Sequence, residues 1–224
     1  MKKVATAGLF FAVLCLYTCP AFAQTAPAET IMEGAYWKHR TSQFRALPNP
    51  AGEICFLGDS ITDGCEWREL IGIETVTNRG IGGDTSWGLM ARIDEVTEGK
   101  PAKIFLMIGT NDLAWGGKTV PQVRVKIAEV LDTIKKQSPS TKVYLQSVLP
   151  VIDGMVKNFE NKNIDRINPL LEKLAAEKKV TWVNLTPFFK DANGQLKKNY
   201  TEDGLHLTGE AYYQWYSVIR KYLP

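Results

Sequence analysis

A serine hydroxyl becomes a nucleophile when a base takes its proton, a third group orients that base, and donors wait for the developing oxyanion. The sequence of 224 residues carries only two histidines, so the base is found by elimination. His39 stands in Tyr36-Trp37-Lys38-His39-Arg40, among cations and ahead of the first strand-like run, where a solvated helix face is expected. His206 stands in Asp203-Gly204-Leu205-His206-Leu207, behind the last such run and three residues after an acid. A turn tightened by Gly204 brings the Asp203 carboxylate to the imidazole Nδ1, fixing the tautomer and stabilising the imidazolium. The competing reading of Asp203 is a turn or helix-capping acid.

The serine that suits this base is Ser60, in Leu57-Gly58-Asp59-Ser60-Ile61 at the end of an apolar run. The segment is not a G-x-S-x-G elbow, because position 62 is Thr. Gly58 nevertheless lets the backbone bend, and a serine that opens a helix has free N–H groups near its oxygen. Asp59 is expected to turn to the loop backbone rather than act as the triad acid, and is also kept as a candidate substrate contact. Three oxyanion donors are on offer: the amide of Ser60, the amide of Gly83, and the side-chain amide of Asn111, which donates without titrating. Taken alone, Asn111 reads equally well as a turn residue in Gly109-Thr110-Asn111-Asp112.

These residues need a scaffold that collects distant segments, and the chain alternates in the way such a scaffold requires. Apolar, β-rich runs fall at 53–57, 74–78, 103–108, 142–148 and 180–185. Helix-like stretches fall between and after them at 64–71, 85–98, 120–137, 161–178 and 209–222. In the third stretch Val123, Ile127, Val130, Leu131 and Ile134 form one apolar stripe, and Pro121 suits a first turn. Pro169 predicts a kink in the fourth, or a start at Asn168. Alternating strands and helices predict an α/β domain with one parallel sheet covered on both faces. Ligands of such sheets sit beyond the carboxyl ends of the strands. The polar motifs above all fall at those ends.

The termini and composition narrow the function class. Lys2 and Lys3, the apolar stretch from Val4 to Tyr17, and Ala21-Phe22-Ala23 together predict a cleaved signal peptide over 1–23, with Gln24 becoming the first residue. A lipid anchor through Cys19 is the alternative, although Thr18 fits that cleavage poorly. Residues 24–50 form an N-terminal extension with an amphipathic stretch from Ala35 to Phe44, expected to cover an edge of the domain, and residues 51–224 form that domain. The net charge of +3 includes two leader lysines, so the mature chain is near +1, no footprint for nucleic acid, and no stable membrane insertion is expected after cleavage. Of four cysteines only Cys55 and Cys65 remain, as a disulfide or as buried free thiols. The acids Asp63, Glu66, Asp84 and Asp112 lack clustered histidines, so neither a metal nor another cofactor is expected.

Gly58-Asp59-Ser60, Asn78-Arg79-Gly80-Ile81-Gly82-Gly83-Asp84, Gly109-Thr110-Asn111-Asp112 and Asp203-Gly204-Leu205-His206 resemble, in order, the four sequence blocks of the SGNH (GDSL-like) hydrolases. The second block is especially similar to the branch of the platelet-activating-factor acetylhydrolase catalytic subunits and bacterial acetylesterases. The resemblance implies a flavodoxin-like α/β/α sandwich with a five-stranded parallel sheet. It implies Ser60 as nucleophile, an Asp203–His206 pair, and oxyanion donors at Ser60, Gly83 and Asn111, with Gly83 preferred over Gly82 because it directly precedes the Asp. The expected activity is hydrolysis of short acyl esters, O-acetyl groups on carbohydrate first, with a longer-chain lipid or thioester as the alternative and a non-catalytic carbohydrate-binding module as the last. Trp67, Trp87 and Trp115 each follow one of these blocks and are candidates to stack on a sugar ring; packing in the core or at an edge is the other reading. The cluster Tyr212, Tyr213, Trp215 and Tyr216 is expected to pack.

Overall fold

The computed structural model describes residues 34–224. The expected signal peptide, and the part of the extension before residue 34, lie outside the described residues. Five short strands form one all-parallel sheet: β1 (Ile54–Gly58), β2 (Val76–Gly80), β3 (Lys103–Met107), β4 (Lys142–Gln146) and β5 (Thr181–Val183). Their order across the sheet is β2-β1-β3-β4-β5. β1 pairs with β2 from Ile54↔Val76 to Gly58↔Gly80, and with β3 from Ile54↔Lys103 to Gly58↔Met107. The central strands are continuous apolar runs because helices cover both of their faces, and Ile54 to Leu57 and Ile104 to Met107 are all 2% exposed or less. The chain reverses direction across the sheet at β1, so the ends of β1 and β3 frame a switch point where a ligand crevice opens.

One helical layer holds α4 (Ser86–Ala91), α5 (Ile93–Thr97), α7 (Val120–Gln137) and α8 (Asn161–Lys178). The opposite layer holds α3 (Trp67–Ile71) and α10 (Gly209–Ile219). The short helices α2 (Ser60–Asp63), α6 (Thr110–Ala114) and α9 (Thr186–Phe189) begin where β1, β3 and β5 end. The apolar stripe of α7 is buried as its spacing requires, from Val123 through Ile127 and Val130 to Ile134. A capping box between Thr119 and Gln122 satisfies the first amides of that helix.

Three stretches depart from the periodicity, and a fourth keeps its expected bounds across a proline. The stretch expected as a helix over 64–71 becomes helical only at Trp67, as α3, with Gly64, Cys65 and Glu66 separating it from α2. The stretch over 85–98 is broken at Arg92, whose side chain is drawn inward by buried partners described below. The helix over 161–178 does not start at Asn168, the second of the two expectations, but begins at Asn161 and runs on past Pro169. Asn168 accepts from the Val148 amide and donates to its carbonyl, both at 2.9 Å, so tertiary docking carries the helix through the proline. The final helix passes into a 3₁₀ turn over Arg220–Tyr222.

The N-terminal helix α1 (Ala35–Ala46) lies along the β2 edge of the sheet. Its Phe44, 3% exposed, takes the guanidinium groups of Arg40, Arg79 and Arg92 against its ring at 4.6, 5.1 and 5.9 Å. Trp67 locks the other layer. It stacks on Phe56 of β1 at 4.0 Å and meets Trp215 and Tyr212 of α10 edge-on at 5.0 and 5.9 Å. The Trp215 indole donates to Gln146 at the end of β4 (2.8 Å), so α10 is fixed to the sheet at a defined height. Among the described residues no helix is long and apolar enough to cross a membrane.

Candidate active site

The loop between the last strand and α10 carries Asp203 and His206, and the packing of Trp215 sets where that loop lies. Within it Gly204 takes φ +87, a left-handed conformation that favours glycine. A side chain there would also stand 2.7 Å from the Met155 Cβ, so the turn has room for no other residue. The turn folds Asp203 back on its own backbone. Oδ1 accepts from the amides of Leu205 (2.9 Å) and His206 (2.8 Å), leaving Oδ2 to meet His206 Nδ1 at 2.6 Å. An ionised carboxylate only accepts, so Nδ1 carries the proton and Nε2 presents its lone pair. Ser60 Oγ lies 3.0 Å from that Nε2. Residues 146 positions apart are thus in hydrogen-bond contact. Burial pushes the Asp203 carboxyl up, but the bond from the His206 ring, the two amides and the electrostatic pull of His206 outweigh it and hold it down at about 2.

Ser60 opens α2 directly after β1. Gly58 belongs to the strand, and what demands glycine there is close approach: an added Cβ would stand 2.3 Å from both the Met107 carbonyl and the Thr62 hydroxyl. Asp59 caps α2 by accepting from the Ile61 amide at 3.0 Å. At 1% exposure it is beneath the crevice, so the expectation that it also touches substrate is corrected: it shapes the nucleophile turn. Burial, then the neighbouring Asp84 and Asp112 charges, push its carboxyl up to about 7, against the pull of the Ile61 amide.

The three expected oxyanion donors gather around the end of β1. The Ile81 amide bonds the Gly58 carbonyl (3.1 Å), bringing the 81–84 turn against the nucleophile strand. Asn111 donates one amide hydrogen to the Asp84 carbonyl at 2.9 Å, which aims its remaining N–H. Between the two adjacent glycines the structure discriminates: Gly82 N–H is given to Asp63 Oδ2 at 3.2 Å, whereas Gly83 N–H has no acceptor among the described residues. The Ser60 amide has none either.

Beneath these donors lies a buried polar layer that sequence reasoning missed. Arg92, 0% exposed, donates to Asp84 (2.8 Å), Glu95 (3.1 Å) and the carbonyls of Arg79 (2.9 Å) and Gly58 (3.2 Å). Asp112, also 0% exposed, receives the Ser86 hydroxyl (2.6 Å) and amide (3.0 Å), joining the block after β3 to the block after β2. Burial raises its carboxyl to about 6, with the Ser86 bonds opposing. One signal was available: an arginine between Leu89, Ile93 and Val96 interrupts the apolar face of its stretch.

The tryptophans separate. Trp67 is 1% exposed and belongs to the core, which corrects its reading as a candidate sugar contact. Trp87 is half-buried, and Lys118 and Lys126 approach its ring at 5.0 and 5.1 Å, so packing engages it beside α7. Trp115 stands one helical turn after Asn111, leaves 49% of its surface exposed and meets Phe159 edge-on at 5.8 Å. In the tail cluster Tyr212 and Trp215 are buried, while Tyr213 is 66% exposed. Cys55 and Cys65 are free and buried, and burial lifts the Cys65 thiol to about 12, so neither is a nucleophile. His39 is exposed. No group of three His, Cys, Asp or Glu side chains suited to a metal occurs among the described residues.

Comparison with known proteins finds one matching family and similar folds. The model of the GDSL-like Lipase/Acylhydrolase family matches residues 56–213. Platelet-activating factor acetylhydrolase IB subunit alpha1 of Bos taurus is 26% identical over 194 residues, covering 83% of this chain and 82% of the relative. The alpha2 subunit of Rattus norvegicus is 28% identical over 193 residues with the same coverage. A GDSL-like lipase from Bacteroides thetaiotaomicron superposes with a TM-score of 0.72 at 28% identity, covering 83% of this chain and 96% of that one.

Proposed function

The chain belongs to the GDSL-like lipase/acylhydrolase family and is an ester-hydrolysing enzyme, and from that premise we propose that it works through an acyl-enzyme on Ser60. His206 Nε2 takes the Ser60 proton as Oγ attacks the ester carbonyl. The tetrahedral oxyanion is held by the amides of Ser60 and Gly83 and the side chain of Asn111. The imidazolium, stabilised by Asp203, then gives its proton to the departing alcohol oxygen as the C–O bond breaks. Water enters, loses its proton to His206, attacks the acyl carbonyl and frees the acid, and Ser60 recovers its proton. The observation that carries this reading is the continuous relay from Asp203 Oδ2 through His206 to Ser60 Oγ, 2.6 and 3.0 Å long.

The substrate we propose is a short acyl ester, acetyl first, on an extracellular carbohydrate, and the place is outside the cytoplasm after removal of the leader at 1–23. Relatives described as acetylhydrolases support the acyl part. The openness of the site supports a bulky alcohol part: the Asp203 and His206 side chains are each about half exposed, and Trp115 offers an open ring one turn beyond Asn111. A second reading, an amphiphilic ester with a longer chain, is favoured by Met155, 53% exposed beside the Gly204 turn.

Acetate release from a panel of acetylated sugars and polysaccharides, with Ser60→Ala as control, tests the proposal. Release by the wild type alone is expected. Hydrolysis of p-nitrophenyl esters that rises with chain length, without acetate release from any sugar, would transfer the assignment to the second reading. N-terminal sequencing of the exported protein is expected to start at Gln24; an intact Met1 would remove the export proposal.

A further inference from the structure

The region matched by the family model begins at residue 56, and α1 lies ahead of it. Yet three side chains of α1 act on the turn that carries Gly83, Trp37 directly at Asp84 and Tyr36 and Arg40 through Asp63 at the end of α2. Tyr36 donates its hydroxyl to Asp63 Oδ2 at 2.5 Å, the same oxygen that accepts the Gly82 amide at 3.2 Å. Arg40 holds the other oxygen of Asp63 at 3.0 Å. Trp37 donates its indole N–H to Asp84 Oδ1 at 3.1 Å, and that oxygen also accepts the Thr85 amide at 2.9 Å. Positions 36, 37 and 40 share one side of a helix. Gly83 is therefore flanked by Asp84, bonded directly to Trp37 of α1, and by Gly82, whose amide is held by the Asp63 carboxylate that Tyr36 and Arg40 of α1 hold in turn, while its own amide has no acceptor among the described residues.

Contact reinforces the bonds. A side chain on Gly82 would stand 3.2 Å from Cε1 of the Tyr36 ring, so the ring lies against this glycine while half of the residue remains in water. A glycine pair is the most deformable backbone available, and a donor must sit within a few tenths of an ångström of the oxyanion to act on it. Something outside the turn has to supply that rigidity. Asp84 obtains part of it from Arg92 below. On the Gly82 side, the hold on the amide is Asp63, itself fixed by Tyr36 and Arg40.

We propose that α1 is a working part of the active site, in which Tyr36 and Trp37 are positioning residues that hold the Gly83 amide in line for the oxyanion. The proposal rests on the Ser60 mechanism above. It makes the N-terminal extension a determinant of turnover rather than a cover for the sheet edge.

The test is the full-length protein carrying Tyr36→Phe, Trp37→Phe and both together, assayed on p-nitrophenyl acetate and titrated with phenylboronic acid, which forms a tetrahedral adduct on the serine. Tyr36→Phe keeps the ring against Gly82 and removes only the hydroxyl. The double variant is expected to lose roughly 10- to 100-fold in kcat, short of the 10²–10³ that deleting a donor costs, with KM within about threefold. Affinity for the boronic acid is expected to weaken in step with kcat/KM. Arg45→Ala, on the same helix but paired with exposed Asp94, serves as a control expected to match the wild type. A folded double variant whose kcat stays within twofold of the wild type overturns the proposal. So does a fall in kcat that tracks a fall in Tm while boronic acid affinity is unchanged. Ser60→Ala separates the two levels: if it retains activity the mechanism itself fails, whereas an inactive Ser60→Ala beside fully active α1 variants removes only the role of the helix.

Discussion

On the oxyanion side of the crevice Asp59, Asp84, Arg92 and Asp112 are 1% exposed or less, whereas on the base side Asp203 and His206 each keep about half of their side chain in water. In the first group Asp84, Arg92 and Asp112 are held by bonds between segments distant in the chain, and Asp59 by the Ile61 amide of its own turn. The second is held by a four-residue turn that bonds to itself. The difference follows from their tasks. Oxyanion donors gain by fixed placement in a water-poor setting, while the base must gain and return a proton within each cycle. Acidity separates the two sides as well: burial raises the carboxyls of Asp59 and Asp112, and hydrogen bonding depresses that of Asp203.

The contrast is broken most severely at the base. Asp203→Asn is expected to lower kcat on the order of 10⁴-fold by freeing the tautomer, while Tm stays nearly unchanged because an exposed pair adds about 0–1 kcal/mol to stability. Steady-state kinetics beside a thermal melt checks both halves of that statement. Arg92→Met is expected to do the reverse, costing about 3–5 kcal/mol of stability by leaving buried carboxylates without their cation. Urea unfolding reads this directly, and an unchanged midpoint would show that the buried layer does not support the fold. Asn111→Ala is expected to lose roughly 10²–10³ in kcat with little change in KM, since the donor acts on the transition state.

The smallest effect concerns pH. The folded carboxyl of Asp59 is raised from 3.8 to about 7, so the folded state binds the proton more tightly than the unfolded chain does. Its contribution is most favourable below about pH 4 and is lost as pH rises to 7. Asp203 has the opposite sign: its contribution is present above about pH 4 and lost as pH falls toward 2. Asp59→Asn retains an oxygen for the Ile61 amide and removes the titration, so its Tm relative to the wild type is expected to improve from pH 5 to pH 8. A difference independent of pH would show that Asp59 does not titrate in that range.

Much of this was legible in the sequence for identifiable reasons. With two histidines and one of them among lysines and arginines, elimination alone named His206 as the candidate base, and the structure sets it between Asp203 and Ser60. The helix over 120–137 could be bounded because its apolar stripe repeats and Pro121 marks its first turn, whereas Pro169 left a kink or a later start as the expectation for the helix over 161–178. The alternation of strands and helices was enough for a parallel sheet and for the crevice at its carboxyl end. What failed was whatever depended on partners distant in the chain. The break at Arg92 is made by Gly58 and Arg79, 34 and 13 residues away. Trp67 follows the block around Ser60, which made it a candidate substrate contact, but its place was decided by Phe56, Tyr212 and Trp215, which no periodicity near Trp67 reveals. Asp63 stood in the sequence only as one of four acids without clustered histidines, because its partners Tyr36 and Arg40 lie 27 and 23 residues upstream.

The central claim is that Ser60 is the nucleophile and His206 its base. Its most direct test is labelling with a p-nitrophenyl alkylphosphonate, following p-nitrophenol release and locating the adduct by mass spectrometry. The expected result is one adduct per chain on the peptide containing Ser60, no adduct in Ser60→Ala, and labelling slowed by orders of magnitude in His206→Ala. An adduct on another residue, or labelling of His206→Ala at the wild-type rate, would contradict the account.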